Sequence, residues 1–442
     1  MIYENRLNPR FDRAENCDRF LKKASREDEK MSMNVDEQPK SAYIHIPFCR
    51  RRCFYCDFPV FVVGDRQQGE NSTTIQKYIE VLLREIGITP TEGQTLETVF
   101  FGGGTPSLLS VNQLTQILET LDRRFGIASD AEISMEMDPG SFDLQKLHGY
   151  IKGGVNRVSL GIQAFQDQLL SVCGRSHNTK DIFTAIDLLH KVGVSDFSID
   201  LISGVPHQTL DQWQASLETA LMISPTHISS YDLIVEPGTP FHRYYQPGVF
   251  PLPDDRITAD MYRLAVKTLT NHGYQHYEVS NYALPGYQCR HNRVYWENRP
   301  YYGFGMGATS YVAGKRFTRP RKTGDYYQWV ERSIAAGGEI DCPPTLPEEQ
   351  LLETLMLGLR LADGVNFATL GDRFGHETLQ RIWSGLQQYH RQGWVEILTP
   401  EGTAIGLKPG EPLPTSIQVR LADPEGFLFS NTILAALFQQ LT

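Results

Sequence analysis

Between Ser41 and about His272 the chain repeats one pattern: a short apolar run suited to a strand, then a stretch with helical period, the next run starting roughly 30 residues on. Nothing else in the sequence narrows the fold as much. The apolar runs are 43–46, 98–101, 132–137, 157–162, 197–202 and 227–234. The helical stretches are 75–86, 111–125, 144–149, 181–191, 211–223 and 254–272. Strand and helix alternating in this way predict a parallel sheet whose ligands gather at the carboxyl ends of the strands. Six units are too few for a closed eight-stranded barrel, leaving a partial (β/α)6 barrel, open on one side, or an open doubly wound sheet.

The flanking segments differ. Residues 1–40 are polar, mix both charges and lack a hydrophobic period, so they are expected to be a disordered extension, with Met31 or Met33 as alternative starts. The repeating unit is assigned to 41–273. A tyrosine- and glycine-rich extension follows over 274–344, closed by Cys342-Pro343-Pro344. Helical stretches at 348–360, 367–374 and 377–392, with a strand at 394–398, predict a small helical, winged-helix-like domain over 345–442. The apolar run 426–441 fits packing against the barrel or against a second chain.

Seven cysteines occur, at 17, 49, 53, 56, 173, 289 and 342, three of them within eight residues. Disulfide frameworks distribute their cysteines, whereas a tight cluster marks a metal or redox site. Cys49, Cys53 and Cys56 follow the first strand at a Cys-x3-Cys-x2-Cys spacing. Three thiolates on one loop suit three irons of a cubane cluster, leaving the fourth iron open; the plainer alternative is a structural zinc closed by His45 or Asp57. Lysine plus arginine is 42 against 52 for aspartate plus glutamate, a net charge of −10, the wrong sign for a protein that neutralises phosphates, so no nucleic-acid partner is expected. No window reaches the roughly 18 apolar residues of a spanning helix, and the N-terminus lacks an apolar signal region. The expectation is a cytoplasmic protein whose contact with any membrane is peripheral.

After the second strand, Gly102-Gly103-Gly104-Thr105-Pro106 allows backbone to approach a small ligand, or else makes a tight turn. Glu136, Gln163 and Asp200 stand at or near other strand ends of the same face, where turn or capping roles are the ordinary alternative. Arg175, in Gly174-Arg175-Ser176-His177, offers a cation to a carboxylate or makes a surface ion pair. Outside the repeat, His291 and Tyr295 would share a helical face, and both residue types ligate haem iron. A histidine among aromatics is also an ordinary hydrogen-bonded core residue.

Taken in order, Tyr43–Cys49, the cysteine loop, Gly102–Pro106, Glu136–Pro139, Ser159–Gln163 and Asp200–Pro206 resemble the radical S-adenosylmethionine superfamily. The resemblance is narrower still to the branch that holds oxygen-independent coproporphyrinogen III dehydrogenase and the HemW family of haem chaperones. It runs from about residue 41 to the C-terminus, where Asp423–Asn431 also fits. The dehydrogenase pattern carries a further cysteine where this chain has Phe58, and His291-Asn292-Arg293-Val294-Tyr295-Trp296 matches the His-Asn-x-x-Tyr-Trp haem motif of the chaperones. The resemblance implies a radical SAM (β/α)6 barrel with a 4Fe–4S cluster on Cys49, Cys53 and Cys56, and S-adenosylmethionine on its open iron. It implies that Tyr43, Tyr55, Gly103, Gly104 and Thr105 line the cofactor, that Glu136, Gln163, Arg175 and Asp200 contact its polar ends, and that His291 supports haem binding. The activity implied is capture of haem and its transfer to an acceptor protein; the alternative is a radical SAM oxidoreductase of the coproporphyrinogen dehydrogenase type.

Overall fold

The structure is a computed structural model that describes residues 38–65, 68–91, 93–407, 414 and 416–441. The expectations for the N-terminal extension up to residue 37, Cys17 included, lie outside the described residues. The six parallel strands are β1 (Ser41–Ile46), β2 (Leu96–Gly103), β3 (Ile127–Met137), β4 (Arg157–Gln163), β5 (Phe197–Ser203) and β6 (His227–Asp232), adjacent in that order. Helices α1 (Thr73–Ile88), α2 (Val111–Phe125), α3 (Leu144–Lys152), α4 (Thr179–Val192), α5 (Leu210–Ile223) and α6 (Asp255–Thr270) follow them. Local chemistry sets the helix starts. Ser110 with Gln113, Asn178 with Asp181 and Thr209 with Gln212 each form a capping box, satisfying amides that the first turn leaves unpaired.

Along a strand, side chains alternate between the two faces. On β2, Val99 and Phe101 are fully buried on one face, while Thr98 and Phe100 on the other meet His291 inside the sheet's curve. The sheet has more strands than six. The extension contributes β7 (Gln275–Glu278), β8 (Asn281–Ala283) and β9 (Tyr302–Phe304), giving the order β9-β1-β2-β3-β4-β5-β6-β8-β7. Strand β9 pairs parallel to β1, and β8 antiparallel to β6. Residues 274–304 therefore extend both edges of the barrel sheet instead of standing as a separate layer. Between the two edges runs α7 (Arg290–Trp296), the helix of the histidine motif.

The C-terminal unit runs helix (Pro347–Gly358), strand (Val365–Asn366), helices (Phe367–Phe374 and His376–Arg391), then strands Val395–Leu398, Ala404–Ile405 and Gln418–Leu421 in a four-stranded sheet. This is the element order of a winged helix. The apolar terminal helix Ser430–Leu441 packs within this unit: Arg381 donates to the Leu441 carbonyl at 2.6 Å, and Gly385 lies against Leu437 and Gln440.

Candidate functional site

At the carboxyl ends of β1 to β6, one cavity of about 220 Å³ is lined by Cys49, Cys53, Cys56, Tyr55, Gly103, Gly104, Thr105, Glu136, Gln163, Arg175 and Asp200. Eleven of the residues singled out in the sequence thus share a wall, although they come from positions 49 to 200. Tyr43 and His291 are not on that wall. The Tyr43 ring lies beneath it, stacked on Phe100, with its hydroxyl 3.0 Å from His45 Nδ1.

The glycines are required by the cysteine loop itself. A Cβ on Gly104 would stand 2.6 Å from the Phe48 carbonyl oxygen and 3.0 Å from Cys49 Sγ; one on Gly103 would enter the His45 ring. Backbone bonds close the contact, Gly104 N–H to the Ile46 carbonyl and Thr105 N–H to that of Phe48. Glycine turn and cysteine loop are therefore packed as one unit.

Arg175 is the second clamp. Its guanidinium donates to the Asp138 carboxylate, to the Gly161 carbonyl at 2.8 Å, to Cys53 Sγ at 3.2 Å and to the Tyr55 hydroxyl at 3.3 Å. One buried cation thus ties the cysteine loop to β3 and β4. Sequence reasoning named Arg175 but not Asp138, since only the fold brings the two together. Gln163 has φ of 71°, where the register between β4 and β5 shifts, a bulge that re-aims its side chain at the cavity.

Asp200 and Glu136 are two of the carboxyls that line the cavity. Asp200 accepts from Ser159 Oγ at 2.8 and 3.0 Å and from Ser198 Oγ at 3.2 Å; burial raises its affinity for a proton against those hydroxyls. Glu136 accepts from Gly103 N–H at 3.0 Å. Burial, and then the charge of Asp200, push the Glu136 carboxyl from 4.5 up to about 8. Between those values the folded chain holds a proton that the unfolded chain has released, so this group's contribution to stability falls as pH rises through that window. A cationic ligand reverses the preference by favouring the carboxylate. Binding of S-adenosylmethionine to the cluster-loaded protein at pH 7 is accordingly expected to release part of a proton. In calorimetric titrations the apparent enthalpy would change with the ionisation enthalpy of the buffer, and Glu136→Gln would reduce that change. An enthalpy independent of buffer in the wild-type chain would contradict it.

The residues fit an iron–sulfur cluster and its nucleotide. Three thiols face one cavity beside a glycine turn that leaves no side chain in the way. The zinc alternative needed His45 or Asp57 as fourth ligand. His45 is occupied elsewhere, with Nδ1 at the Tyr43 hydroxyl and Nε2 3.2 Å from the Pro59 carbonyl. Asp57 lines the same cavity as the three cysteines, so zinc and cluster are told apart by the metal and sulfide content of the reconstituted chain.

His291 sits at the opposite end of the barrel interior. It is 0% exposed, its Nδ1 is 2.7 Å from Thr98 Oγ1 and its Nε2 2.9 Å from the Tyr295 hydroxyl, and its ring stacks on Phe100. Burial lowers its pKa to about 3, so the ring is neutral. The Glu132 carboxylate accepts from the backbone N–H groups of Arg290 and His291 at 2.9 and 3.0 Å, fixing the start of α7 to β3. Thr98, Phe100 and Glu132 were not legible as partners of the motif, because they lie more than 150 positions away in sequence.

Residues 43–220 match the Radical SAM superfamily, and residues 346–399 match the HemN C-terminal domain. The haem chaperone HemW of Synechocystis is 48% identical over 404 residues, which span 91% of this chain and 97% of that protein. The chain belongs to the HemW family of haem chaperones. Bacillus subtilis HemW is 35% identical over 83% of this chain and 97% of its own length, and Escherichia coli HemW 38% identical over 64% and 74%. The fold extends beyond the HemW family: the coproporphyrinogen III oxidase HemN from Escherichia coli, a radical SAM enzyme, superposes with a TM-score of 0.73 at 21% identity, over 91% of this chain and 90% of that one. Membership of the radical SAM superfamily implies a 4Fe–4S cluster and S-adenosylmethionine. Among the described residues no helix is long and apolar enough to cross a membrane.

Proposed function

We propose that this chain captures haem at the segment around His291 and passes it to an acceptor protein, with a 4Fe–4S cluster and S-adenosylmethionine held in the cavity at the other end of the barrel. The observation that carries this reading is the join of two features. The chain aligns with HemW proteins over nearly their whole length, and the His-Asn-x-x-Tyr-Trp segment forms a helix docked into the barrel.

In this reading Cys49, Cys53 and Cys56 bind three irons, and the fourth iron is left to the amino acid end of the nucleotide. The chemistry such a cluster would supply when bound is one-electron chemistry next to the sulfonium. The chain supplies position and exclusion of water. Gly103 and Gly104 admit the ligand close to the backbone, and Thr105 and Tyr55 flank it. Glu136 and Asp200 present carboxyls for its cationic and hydroxyl groups, Gln163 is aimed inward by the bulge, and Arg175 keeps the cysteine loop seated. Haem and its acceptor are the partners this reading requires, and the barrel is a protein that works without nucleic acid in the cytoplasm.

The test is titration of the anaerobically reconstituted chain with haem. The wild-type chain is expected to shift the Soret band saturably, and His291→Ala to lose most of that shift while keeping its iron and sulfide. A shift unaltered in His291→Ala removes the motif from the account. Conversion of coproporphyrinogen III to protoporphyrinogen with reductant and S-adenosylmethionine would favour the dehydrogenase reading instead.

A further inference from the structure

Alternate residues of a strand share a face, so Ser198 and Asp200 look the same way from β5, with Ser198 one layer deeper in the barrel. The parallel register sets His227 of β6 directly beside Ser198. His227 does not line the cavity; its ring is buried, and both of its nitrogens are engaged. Nδ1 lies 2.9 Å from Ser198 Oγ, and Nε2 lies 2.8 Å from the hydroxyl of Tyr277 on β7, also buried. Ser198 Oγ in turn lies 3.2 Å from Asp200 Oδ1. Tyr277, His227, Ser198 and Asp200 thus form one hydrogen-bonded line from the barrel interior to the cavity. The protons available fix its direction. A neutral imidazole has one N–H and one bare nitrogen, and burial keeps this ring neutral. Were the proton on Nε2, Ser198 would give its own proton to Nδ1 and have none for Asp200. The Tyr277 hydroxyl proton would then have no acceptor among the described residues, a costly state for a buried group. With the proton on Nδ1 every member is satisfied: Tyr277 O–H donates to Nε2, Nδ1–H to Ser198 Oγ, and Ser198 O–H to the Asp200 carboxylate. Ser229 Oγ, 3.5 Å from Ser198 Oγ, is too distant to compete.

Resting on the proposal that Asp200 meets the nucleotide, we infer that Ser198 and His227 are positioning residues for S-adenosylmethionine. His227, its tautomer fixed by Tyr277, aims the Ser198 hydroxyl at Asp200 and so holds that carboxylate as an acceptor for the hydroxyl groups of the nucleotide. Burial raises the proton affinity of Asp200, and hydroxyls of Ser159, Ser229 and Ser198 hold it down. A carboxyl that loses one of these donors takes up a proton more readily, and once protonated it offers a donor where the ligand needs an acceptor. The charged and titratable groups facing Asp200 are Glu136 on β3, Arg157 on β4, Tyr231 on β6 and, through Ser198, His227 on β6. A change at Ser198 removes none of them.

The test is equilibrium binding of S-adenosylmethionine to the full chain, reconstituted with its cluster under anaerobic conditions. Ser198→Ala is expected to weaken binding on the order of tenfold, the effect of one hydrogen bond to a charged group. The loss should be larger at acid than at alkaline pH, because Asp200 in the variant holds a proton at a pH where the wild type has released it. His227→Gln, whose amide reaches Tyr277 but not Ser198, is expected to lose about two- to tenfold. His227→Asn, whose amide stands where Nδ1 stood, should keep most of the wild-type affinity. In a Ser198→Ala background neither change at His227 should matter further, since both act on Asp200 only through that hydroxyl. Nitrogen NMR of histidine-labelled wild-type protein should show a ring protonated at Nδ1 and bare at Nε2 whose signals vanish in His227→Asn, a readout that a merely structural role would not fix. Circular dichroism melts establish folding; if His227→Gln does not fold, Ser198→Ala and the wild-type NMR signals still decide. A proton on Nε2 of His227, unchanged binding in Ser198→Ala, a loss equal at every pH, or losses that add in the double variants overturns the inference. Unchanged binding in Asp200→Asn would instead remove Asp200 from the nucleotide site, a failure of the underlying reading that is seen before the other variants are compared.

Discussion

Replacing Arg175 by alanine is expected to unseat the cysteine loop and to destabilise the barrel by on the order of 3 kcal/mol, because removing one member of a buried ion pair leaves the other charge uncompensated. Asp138 would lose its cation, and Cys53 and Tyr55 would lose the donor that ties them to β3 and β4. Two measurements check this. Chemical denaturation of the cluster-free protein should show the lost stability, and reconstitution under anaerobic conditions should give iron well below the wild-type content. Arg175→Lys keeps the charge but not the planar fork that reaches Asp138, the Gly161 carbonyl and Cys53 together. It should therefore recover part of the stability and little of the cluster. Wild-type iron content in Arg175→Ala would show that the clamp does not serve the loop.

Gly104→Ala is expected to separate the site from the fold. The added methyl would stand 2.6 Å from the carbonyl oxygen and 2.9 Å from the nitrogen of Phe48, both backbone atoms, as well as 3.0 Å from Cys49 Sγ. Overpacking of this kind costs about 1–3 kcal/mol, which a barrel of this size survives, but the loop must retreat from the turn to relieve it. The expected outcome is a folded chain with a slightly lowered melting temperature that neither retains its cluster nor binds S-adenosylmethionine. Gly87→Ala in α1, where a Cβ meets nothing within 4 Å, is the control and should behave as wild type or melt slightly higher. A full cluster in Gly104→Ala would mean that the contact between turn and loop does not matter.

The repeating architecture was legible because each βα unit writes its own period: the helix over 111–125 starts and stops where the sequence places it, and strand ends are misplaced by two residues or fewer except at the third strand, which begins at Ile127 rather than 132. The strands at 275–278, 281–283 and 302–304 were not legible. They lie outside the strand–helix repeat that marked 43–46 and 98–101, and they are strands because the edges of the barrel sheet offer them partners. The cavity was legible in its residues but not in its mechanics. Cysteines and glycines marked the loop and the turn, whereas Asp138 beneath Arg175, the serines around Asp200 and the bulge at Gln163 depend on neighbours across the sheet. Tyr43 was named from its place in a familiar motif; its hydroxyl meets His45, and its ring lies under Gly102, beside Glu136, at the floor of the cavity.

The account depends on three sulfurs holding a cluster with one corner left for a nucleotide. The most direct measurement is iron, acid-labile sulfide and zinc per chain after anaerobic reconstitution, for the wild type and for a variant with Cys49, Cys53 and Cys56 all changed to serine. About four irons and four sulfides per wild-type chain, and almost none in the variant, are expected. One zinc per chain without sulfide, or iron and sulfide that persist when the three thiols are gone, would contradict it.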